Sequence, residues 1–441
     1  MQPYPPGIPL PRTDATGEVG RGPDAVTLEV FRHLFTALAE EMGASLRRAS
    51  FSPNIKERRD YSCALFDAKG VAVALGDHMP VHLGAMPMSV EAALAELDTP
   101  DPGDVIILND PFRGGTHLPD ITLIAPVYAD NAELVAYVAS RAHHSDVGGM
   151  SPGSMPLARE IYQEGFRIPP VWLHRKGVRN EGLWRVLLAN VRTPVERAGD
   201  LDAQLAALHT GETRLLEMMD RRGRDQVLGA MQGLIAYADR LVEAGIRAIP
   251  NGRYPAEDFM DDDGFGSGPV PIRLSMEVRN DGLTLDFSGT SPQMPGGINA
   301  VAAITSSAAR YVIRCIVEAL LETPLPAGGG SMSAVDLVLP PASLVNATLP
   351  ASVAAGNVET SQRITDVIFQ AFGAALPQLA PALSQGTMNN TTVGGLDPRT
   401  GETFAYYETV GRPRPPGSVQ PDSRTAGSLS PGGETASVCI K

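Results

Sequence analysis

The chain has 441 residues with a formal net charge of −14 and 43% hydrophobic residues, so it is long enough to build several packed domains. The negative charge argues against a nucleic acid or an anionic membrane as the main partner. The 45 glycines and 38 prolines make up 83 residues without a collagen-like period, which predicts a globular protein rich in loops. Three dispersed cysteines give no sign of a disulfide framework, and no secretory signal or membrane-spanning run is visible, so we expect a cytoplasmic protein.

The predicted elements alternate between helices and short strands. Residues 1–23 are rich in proline and glycine and predict a flexible arm. Asp24 is placed to cap a helix that reaches about Arg48. The elements expected next are a β-hairpin at 62–75, a helix at 86–97, a strand at 104–110, paired strands at 121–128 and 133–140, an irregular stretch at 141–173 and helices over 194–248.

The composition shifts near residue 250 and predicts a second α/β region. Its expected elements are two strands within 270–288 around Asn280-Asp281-Gly282, a helix at 301–321 and a further helix that follows a loop near 356. The overall prediction is a mixed α/β (α+β), multidomain protein with antiparallel hairpins and a helical segment, and not a regular Rossmann fold. The expected division is an arm at 1–23, an N-terminal α/β region at 24–250, a second α/β region at 251–410 and a tail at 411–441.

A hairpin that turns at Asp130-Asn131 would bring two polar motifs to its open end. In this register Asp120 lies across from Arg141, and His117 lies near His144. An HxxD motif from one arm and an HHxD motif from the other then meet. Such a set of imidazoles and carboxylates suits Zn²⁺, Mn²⁺ or Fe²⁺. The candidate metal ligands are His117, Asp120, His143, His144 and Asp146.

The local backbone decides which residue of the pair His143-His144 takes part. In an extended segment His144 and Asp146 share a face, whereas in a turn His143 and Asp146 converge. The alternative is that these side chains are hydrogen-bonded histidines and loop-capping aspartates without a ligand. The flanking pairs Gly114-Gly115 and Gly148-Gly149 let backbone approach a ligand closely, or else only form turns.

Other polar residues have either a role in a site or a purely structural role. Arg58 and Asp60 would hold an anionic substrate or form a surface ion pair, and Asn357 and Glu359 would contact substrate or cap a helix. His78 and His82 have helical spacing, but the intervening proline favours loop roles. The chain carries neither a nucleotide-phosphate loop nor a serine hydrolase elbow motif.

Several long motifs resemble the hydantoinase B/oxoprolinase family, which includes the B-type subunit of N-methylhydantoinase, the C-terminal half of 5-oxoprolinase and large subunits of acetone-type carboxylases. NDPFRGGTHLPDITLIAPVY at 109–128 and RAHHSDVGGMSPGSMP at 141–156 carry the resemblance most clearly. Further similar motifs lie at 52–67, 164–173, 190–204, 296–312, 356–371 and 386–395. The resemblance covers roughly residues 24–410.

This resemblance implies a B-type subunit of an ATP-dependent hydantoinase or 5-oxoprolinase-like amidohydrolase. An A-type partner with an actin-like ATPase fold would use ATP to phosphorylate a carbonyl oxygen, and this chain would open the activated cyclic amide within a hetero-oligomer. The alternatives are the large subunit of an acetone- or acetophenone-type carboxylase and a non-catalytic assembly subunit. Carboxylase relatives hold a divalent metal, which the resemblance assigns here to Asp120 and the His143-His144-Asp146 group, with His117 nearby.

The chemistry implied by the resemblance suggests further roles. Asp110 or Asp146, if not a ligand, would act as a general base. Arg113 would hold a phosphoryl or carboxylate oxygen in a bidentate pair.

The sequence departs from the family pattern after YYETVG at 406–411. The segment 411–441 has five prolines, five glycines, five serines and no aromatic residue, which predicts disorder. After this motif, members of the family continue with a glycine-rich stretch and then a segment that contains a THMTNT-like motif. We therefore expect a reading frame disrupted near residue 411, and activity would be lost if part of the site lies in the missing region.

Overall fold

A computed structural model describes residues 23–76, 79–129, 133–280, 282–330, 332–384, 386–409 and 437–440. Its helices are α1 (Ala25–Ala49), α2 (Pro53–Lys56), α3 (His82–Glu96), α4 (Glu181–Ala189), α5 (Pro194–Arg222), α6 (Arg224–Arg247), α7 (Ala302–Leu321) and α8 (Ser361–Ala375). Its first seven strands are β1 (Tyr61–Asp67), β2 (Ala72–Leu75), β3 (Val105–Leu108), β4 (Asp120–Ala129), β5 (Glu133–His143), β6 (Val171–Arg175) and β7 (Val178–Arg179). The others are β8 (Gly252–Met260), β9 (Val270–Arg279), β10 (Gly282–Asp286), β11 (Val335–Val338), β12 (Asn390–Leu396), β13 (Thr403–Thr409) and β14 (Ser437–Ile440).

The strands form three sheets, and this arrangement confirms the predicted mixed α/β class. The sheets have the orders β2-β1-β5-β4-β3-β6-β7, β11-β10-β9-β8 and β13-β12-β14. Among the described strands only β10 and β11 pair in parallel, so the fold is not a regular Rossmann fold. The predicted arm lies outside the described residues, apart from Pro23.

The first helix follows the predicted local signals. The Asp24 carboxylate accepts hydrogen bonds from the backbone N–H groups of Val26 and Thr27, each at 2.9 Å, and so caps the helix. The buried face of α1 packs against α5, α6 and β1. The side chains on that face are Leu28, Phe31, Phe35, Leu38, Met42 and Leu46.

The seven-stranded sheet is covered on both faces. Helices α1, α5 and α6 pack on one face, and α3 packs on the other. Residues on β4 and β5 therefore point alternately toward α5 and toward α3. The N-terminus of α3 is held by α7, because the Ser307 hydroxyl accepts the backbone N–H groups of Gly84 and Ala85, each at 3.0 Å.

The register of β4 and β5 differs from the prediction by two residues. Asp120 pairs with His143, and Thr122 pairs with Arg141, so Asp120 does not lie across from Arg141. Ala129 pairs with Glu133, which leaves three connecting residues instead of two; those residues lie outside the described ones. An irregularity in the pairing between Val127 and Tyr128 adds the second residue of the shift.

The second predicted region packs directly on the first. Helix α8 covers β8 and β9, and α7 lies between α8 and helices α3 and α6. Buried residues from both sides of residue 250 form one contiguous core, so the division at 250 stays a prediction. No helix in the described part of the chain combines the length and apolar character that a bilayer crossing needs.

The last sheet combines strands β12 and β13 with a strand from the predicted tail. Strand β14 pairs antiparallel with β12 from Thr391 to Gly394. The prediction of a disordered tail did not include this strand. The rest of the segment 411–441 lies outside the described part of the chain.

Candidate metal centre

Two histidines and one aspartate converge where β4 begins and β5 ends. His117 lies in the loop before β4, Asp120 is the first residue of β4, and its register partner His143 is the last residue of β5. His117 Nε2 lies 3.0 Å from His143 Nδ1, and both atoms lie 3.2 Å from Asp120 Oδ1. All three side chains are buried. The hairpin thus brings three potential metal-binding atoms to one point.

These donor atoms fit a divalent cation. Ligands at about 2.1 Å from an ion are separated by about 3.0 to 3.4 Å at octahedral or tetrahedral angles, which matches the separations found here. Asp120 Oδ1 is buried without a hydrogen-bond partner among the described residues. A buried carboxylate oxygen beside two imidazole nitrogens is costly without a shared positive charge. The set of two imidazoles and one carboxylate would suit Mn²⁺, Fe²⁺ or Zn²⁺.

The other oxygen of Asp120 is held by side chains that orient the carboxylate. Thr116 Oγ1 donates a hydrogen bond to Asp120 Oδ2, and His82 Nε2 lies 3.4 Å from the same oxygen. The second ring nitrogen of His82, Nδ1, lies 2.8 Å from the hydroxyl of Ser62. Such supporting contacts fix the position of a ligand before a metal binds.

The electrostatics of the cluster favour an ionised aspartate. Burial acts to raise the pKa of Asp120, but the nearby rings of His117, His143 and His82 outweigh burial and hold that pKa well below its usual value. Burial acts to lower the pKa of His143, while the neighbouring carboxylates of Asp120 and Asp60 raise it overall. The pKa of His82 is lowered, chiefly by burial. The Asp120 carboxylate is therefore in the ionised form that binds a cation.

Asp60 adds a second carboxylate at the edge of the cluster. Its Oδ2 lies 3.9 Å from His143 Nδ1, and its backbone carbonyl accepts the N–H of His143 at 3.0 Å. The Asn54 amide donates to the carbonyl of His143 at 3.0 Å and to Asp60 Oδ2 at 3.4 Å. Asp60 is only partly buried, so it can reach both the cluster and an incoming molecule.

Asn357 approaches the cluster from the second region. It lies in a π-helical turn, Gly356–Thr360, that leads directly into α8. Its Nδ2 lies 3.5 Å from His117 Nε2, and its Oδ1 is buried without a hydrogen-bond partner among the described residues. Single π-helical turns are frequent at functional sites. Glu359 of the same turn is half-buried.

The three-stranded sheet covers the cluster from outside. The ring of Tyr407 stacks on His143 with a centroid distance of 4.7 Å, and its hydroxyl donates to Asn390 Oδ1 at 2.5 Å. Beside it, Arg58 forms an ion pair of 3.0 Å with Glu408 and donates to the Tyr406 hydroxyl at 3.3 Å. Arg58 is thus close to the cluster but is already paired.

The structure separates His144 and Asp146 from the other candidate ligands. Adjacent strand residues face opposite ways, so His144 points toward α5, where its Nε2 lies 3.0 Å from Gln204 Oε1. Burial, followed by the charge of Arg197, lowers the pKa of His144 to about 4. The Asp146 carboxylate accepts hydrogen bonds from the Arg192 guanidinium at 2.8 Å and from the backbone N–H of Gly148 at 3.1 Å. Both residues therefore leave the proposed ligand set.

A buried ion pair lies behind His144, on the face covered by α5. Arg197 Nη2 lies 2.8 Å from Asp200 Oδ2, and both side chains are fully buried. Asp200 Oδ1 also accepts the backbone N–H groups of Phe51 and Ser52 at 2.8 and 3.0 Å. This carboxylate therefore joins α5 to the turn that follows α1.

The two residues predicted for acid–base and anion-binding roles are engaged elsewhere. Asp110 caps a short 3₁₀ helix by accepting the Phe112 N–H at 3.0 Å, and it pairs with Arg167 at 2.7 Å. Arg113 is half-exposed and pairs with Glu96 at the surface. Because their polar atoms are used in these contacts, we do not retain either residue in the site.

Sequence reasoning missed several residues that contact the cluster, including Thr116, His82 and Tyr407. Pro80 between His78 and His82 predicts a loop, but α3 begins after this proline, and His82 lies in its first turn. A proline just before an apolar helical pattern is the signal that could have placed it. Tyr407 comes from a strand far along the chain, and no local signal links it to His143.

The glycine before Asn357 provides a test of how tightly this turn is packed. A Cβ atom on Gly356 would lie 1.9 Å from the carbonyl oxygen of Asn299, so we expect Gly356→Ala to destabilise the protein by about 1–3 kcal/mol. Gly229→Ala in α6 is the matched control, because a Cβ there meets nothing within 4 Å and alanine favours helix by about 1 kcal/mol. Urea unfolding would measure both, and equal effects of the two changes would contradict this packing.

The comparisons with known proteins agree with this architecture. A family model described as hydantoinase B/oxoprolinase matches residues 24–420, which extends past the predicted break at residue 411. 5-oxoprolinase 1 of Arabidopsis thaliana is 38% identical over 88% of this chain, which spans 31% of that protein. A Pseudomonas sp. protein whose name assigns it to the B-type subunit of a D-/L-hydantoinase is 30% identical, with coverage of 88% of this chain and 67% of its own length.

Two solved structures are similar in fold. The ATP-dependent caprolactamase from Pseudomonas jessenii superposes with a TM-score of 0.77 and 30% identity, over 87% of this chain and 66% of that one. Nucleotide-free acetone carboxylase superposes with a TM-score of 0.76 and 18% identity, over 87% and 52% of the two chains. The resemblance predicted from the motifs is confirmed, and the chain belongs to the hydantoinase B/oxoprolinase family.

Proposed function

We propose that this chain is the B-type subunit of an ATP-dependent amidohydrolase, which opens a cyclic amide that an ATPase partner has activated. The convergence of His117, Asp120 and His143 at one point of a hydantoinase B/oxoprolinase chain carries the proposal. The similar proteins include a 5-oxoprolinase, a B-type hydantoinase subunit and an ATP-dependent caprolactamase, all of which fit a lactam or cyclic imide as substrate. The use of ATP by such an assembly agrees with the predicted cytoplasmic location.

The residues of the cluster have distinct roles in this proposal. His117, Asp120 and His143 would hold a divalent ion, Mn²⁺, Fe²⁺ or Zn²⁺, which lowers the pKa of water and polarises a carbonyl group. Asp60 is partly exposed beside His143 and can accept a proton from the attacking water. The buried amide of Asn357 can orient the substrate carbonyl by hydrogen bonding.

The peripheral residues support binding more than chemistry. Arg58 pairs with Glu408 beside the sheet that covers the cluster, and it would contact an anionic group once it leaves this partner. Glu359 belongs to the same π-helical turn as Asn357 and keeps its predicted role in substrate binding. An A-type ATPase partner is proposed because this sequence has no nucleotide-phosphate motif, and because the name of the Pseudomonas sp. relative, a B-type subunit, fits a hetero-oligomer.

A carboxylase subunit is the second candidate, and the fold shared with acetone carboxylase favours it. The two functions use the same kind of site but different second substrates. Amide opening consumes water, whereas carboxylation consumes bicarbonate and a ketone. A bicarbonate requirement therefore separates them.

The direct test is co-expression of the full chain with an A-type ATPase subunit from the same organism, followed by assays with 5-oxoproline, hydantoin, caprolactam and acetone. We expect ATP-dependent ring opening without bicarbonate, loss of turnover after chelation, and recovery with Mn²⁺, Fe²⁺ or Zn²⁺. Ketone consumption that needs bicarbonate would favour the carboxylase. A stable complex that turns over none of these substrates would favour an assembly subunit.

A further inference from the structure

A buried glutamate joins the N-terminal region to the helix that carries Asn357. Glu164 follows the 3₁₀ helix Ile161–Gln163, in the irregular stretch between β5 and β6, and it is fully buried. Its Oε1 accepts the backbone N–H groups of Val353 at 2.7 Å and Ala354 at 3.0 Å. The hydroxyl of Ser352 donates to the same oxygen. This carboxylate serves no role in the chemistry described above.

These contacts place a negative charge at the beginning of a helix. Helical backbone starts at Ala354 and continues through the π-helical turn into α8. The first N–H groups of a helix lack partners within the helix, and a carboxylate there both accepts their hydrogen bonds and favours the helix dipole. Asn357 follows Ala354 by three residues, which is less than one turn of helix. Glu164 therefore caps the turn that carries Asn357.

The other end of this connection lies beside His117. The side-chain amide of Asn109 donates to the carbonyl of Leu118 at 2.7 Å and to the carbonyl of Phe166 at 3.0 Å. Leu118 follows His117 directly, and Phe166 is two residues beyond Glu164. The segment of Glu164 is therefore tied to the loop of His117 while its carboxylate is tied to the helix of Asn357. The contacts form a closed ring from His117 to Asn357.

We propose that Glu164 is a positioning residue that holds the amide of Asn357 against the ring of His117, and thereby sets the surroundings of the metal centre. The proposal rests on the metal centre in the proposed function. It does not depend on which amide or ketone is the substrate. Its test can therefore use metal binding instead of turnover.

A double-mutant cycle separates positioning from simple stabilisation. The measurements are the affinity of the purified full chain for Mn²⁺ and its thermal unfolding midpoint, for Glu164→Ala, Asn357→Ala and the double variant. We expect each single change to weaken Mn²⁺ binding by about 10–100-fold, and the double variant to bind no more weakly than Asn357→Ala. Glu164→Gln keeps an accepting oxygen in the same place and should lose less than tenfold. Glu91→Gln, on the exposed face of α3, is the control and should bind like the unmodified chain.

Three outcomes would overturn the proposal. Unchanged Mn²⁺ affinity in Glu164→Ala would show that Glu164 acts only on folding, and multiplicative losses in the double variant would show that it acts independently of Asn357. Failure of the unmodified chain to bind Mn²⁺, Fe²⁺ or Zn²⁺ would remove the metal centre itself. If Glu164→Ala does not fold, Ser352→Ala replaces it in the double-mutant cycle, because this change removes one donor to the same carboxylate oxygen. Metal binding without ATP-dependent turnover would reject the proposed function and leave this cycle interpretable.

Discussion

Asp120→Asn is expected to abolish metal binding and turnover together. The change keeps the shape of the side chain but removes the negative charge that two histidine rings surround, with Oδ1 at 3.2 Å from each. A neutral amide is a poor ligand for a divalent ion, so the affinity for Mn²⁺ should fall at least about a hundredfold. Turnover should fall by about a thousandfold or more, because an ion held by this carboxylate would supply both activation of the water and stabilisation of the oxyanion.

The control for this change is Asp98→Asn, an exposed aspartate after α3 that lies outside the cluster. Metal content by elemental analysis, Mn²⁺ titration and ATP-coupled turnover would be measured on both variants. Urea unfolding would show whether Asp120→Asn remains folded, since Asp120 also accepts the hydroxyl of Thr116. An Asp120→Asn protein with full metal content and full turnover would refute the proposed centre.

Asp200→Ala should be the most destabilising single change on the opposite face of the sheet. It removes the buried partner of the Arg197 guanidinium at 2.8 Å, so that only the partly exposed Glu196 stays paired with it, and it removes the acceptor for two backbone N–H groups. Breaking a buried pair from one side costs about 3–5 kcal/mol, which is a large part of the stability of a typical domain. Arg197 cannot escape to solvent, because α5 presses it against the sheet.

Asp202→Ala is the matched control, since Asp202 lies on the same helix two residues later and is exposed. Urea unfolding should give a loss of about 3–5 kcal/mol for Asp200→Ala and less than about 0.5 kcal/mol for Asp202→Ala. The affinity of the folded protein for Mn²⁺ should change little, because the pair belongs to α5 on one face of the sheet, whereas the cluster contacts His82 of α3 on the other face. Similar stabilities for the two variants would show that the buried pair contributes nothing.

Local signals predicted the elements that carry the site. The cap and apolar spacing of α1 and the turn between β1 and β2 depend on neighbouring residues, and the structure contains both elements. Placing His117 and Asp120 near the end of β5 required only that two adjacent strands form a hairpin. These parts of the site follow from short-range geometry.

The choice between His143 and His144 required information that is not local. The register decides which residue of β5 lies across from Asp120, and the observed shift of two residues places His143 there instead of Arg141. The actual register depends on a three-residue connection and on an irregularity near Val127, and neither has a clear signal in the sequence. Asp146 illustrates the same limit, because its partner Arg192 is 46 residues away along the chain. A polar residue without a partner nearby in the sequence can therefore form its hydrogen bonds with a residue far along the chain.

The cover that Tyr407 forms over His143 has a consequence for the order of assembly. His117, Asp120 and His143 lie within one hairpin, so they leave the ribosome together and can fold early in synthesis. Tyr407 is made much later, and its strand then closes over a ring that is already in place. An ion destined for the proposed centre would thus have open access to the nascent hairpin, whereas in the finished protein Tyr407 covers His143. Reconstitution of the folded apoprotein should therefore be slow compared with loading during synthesis.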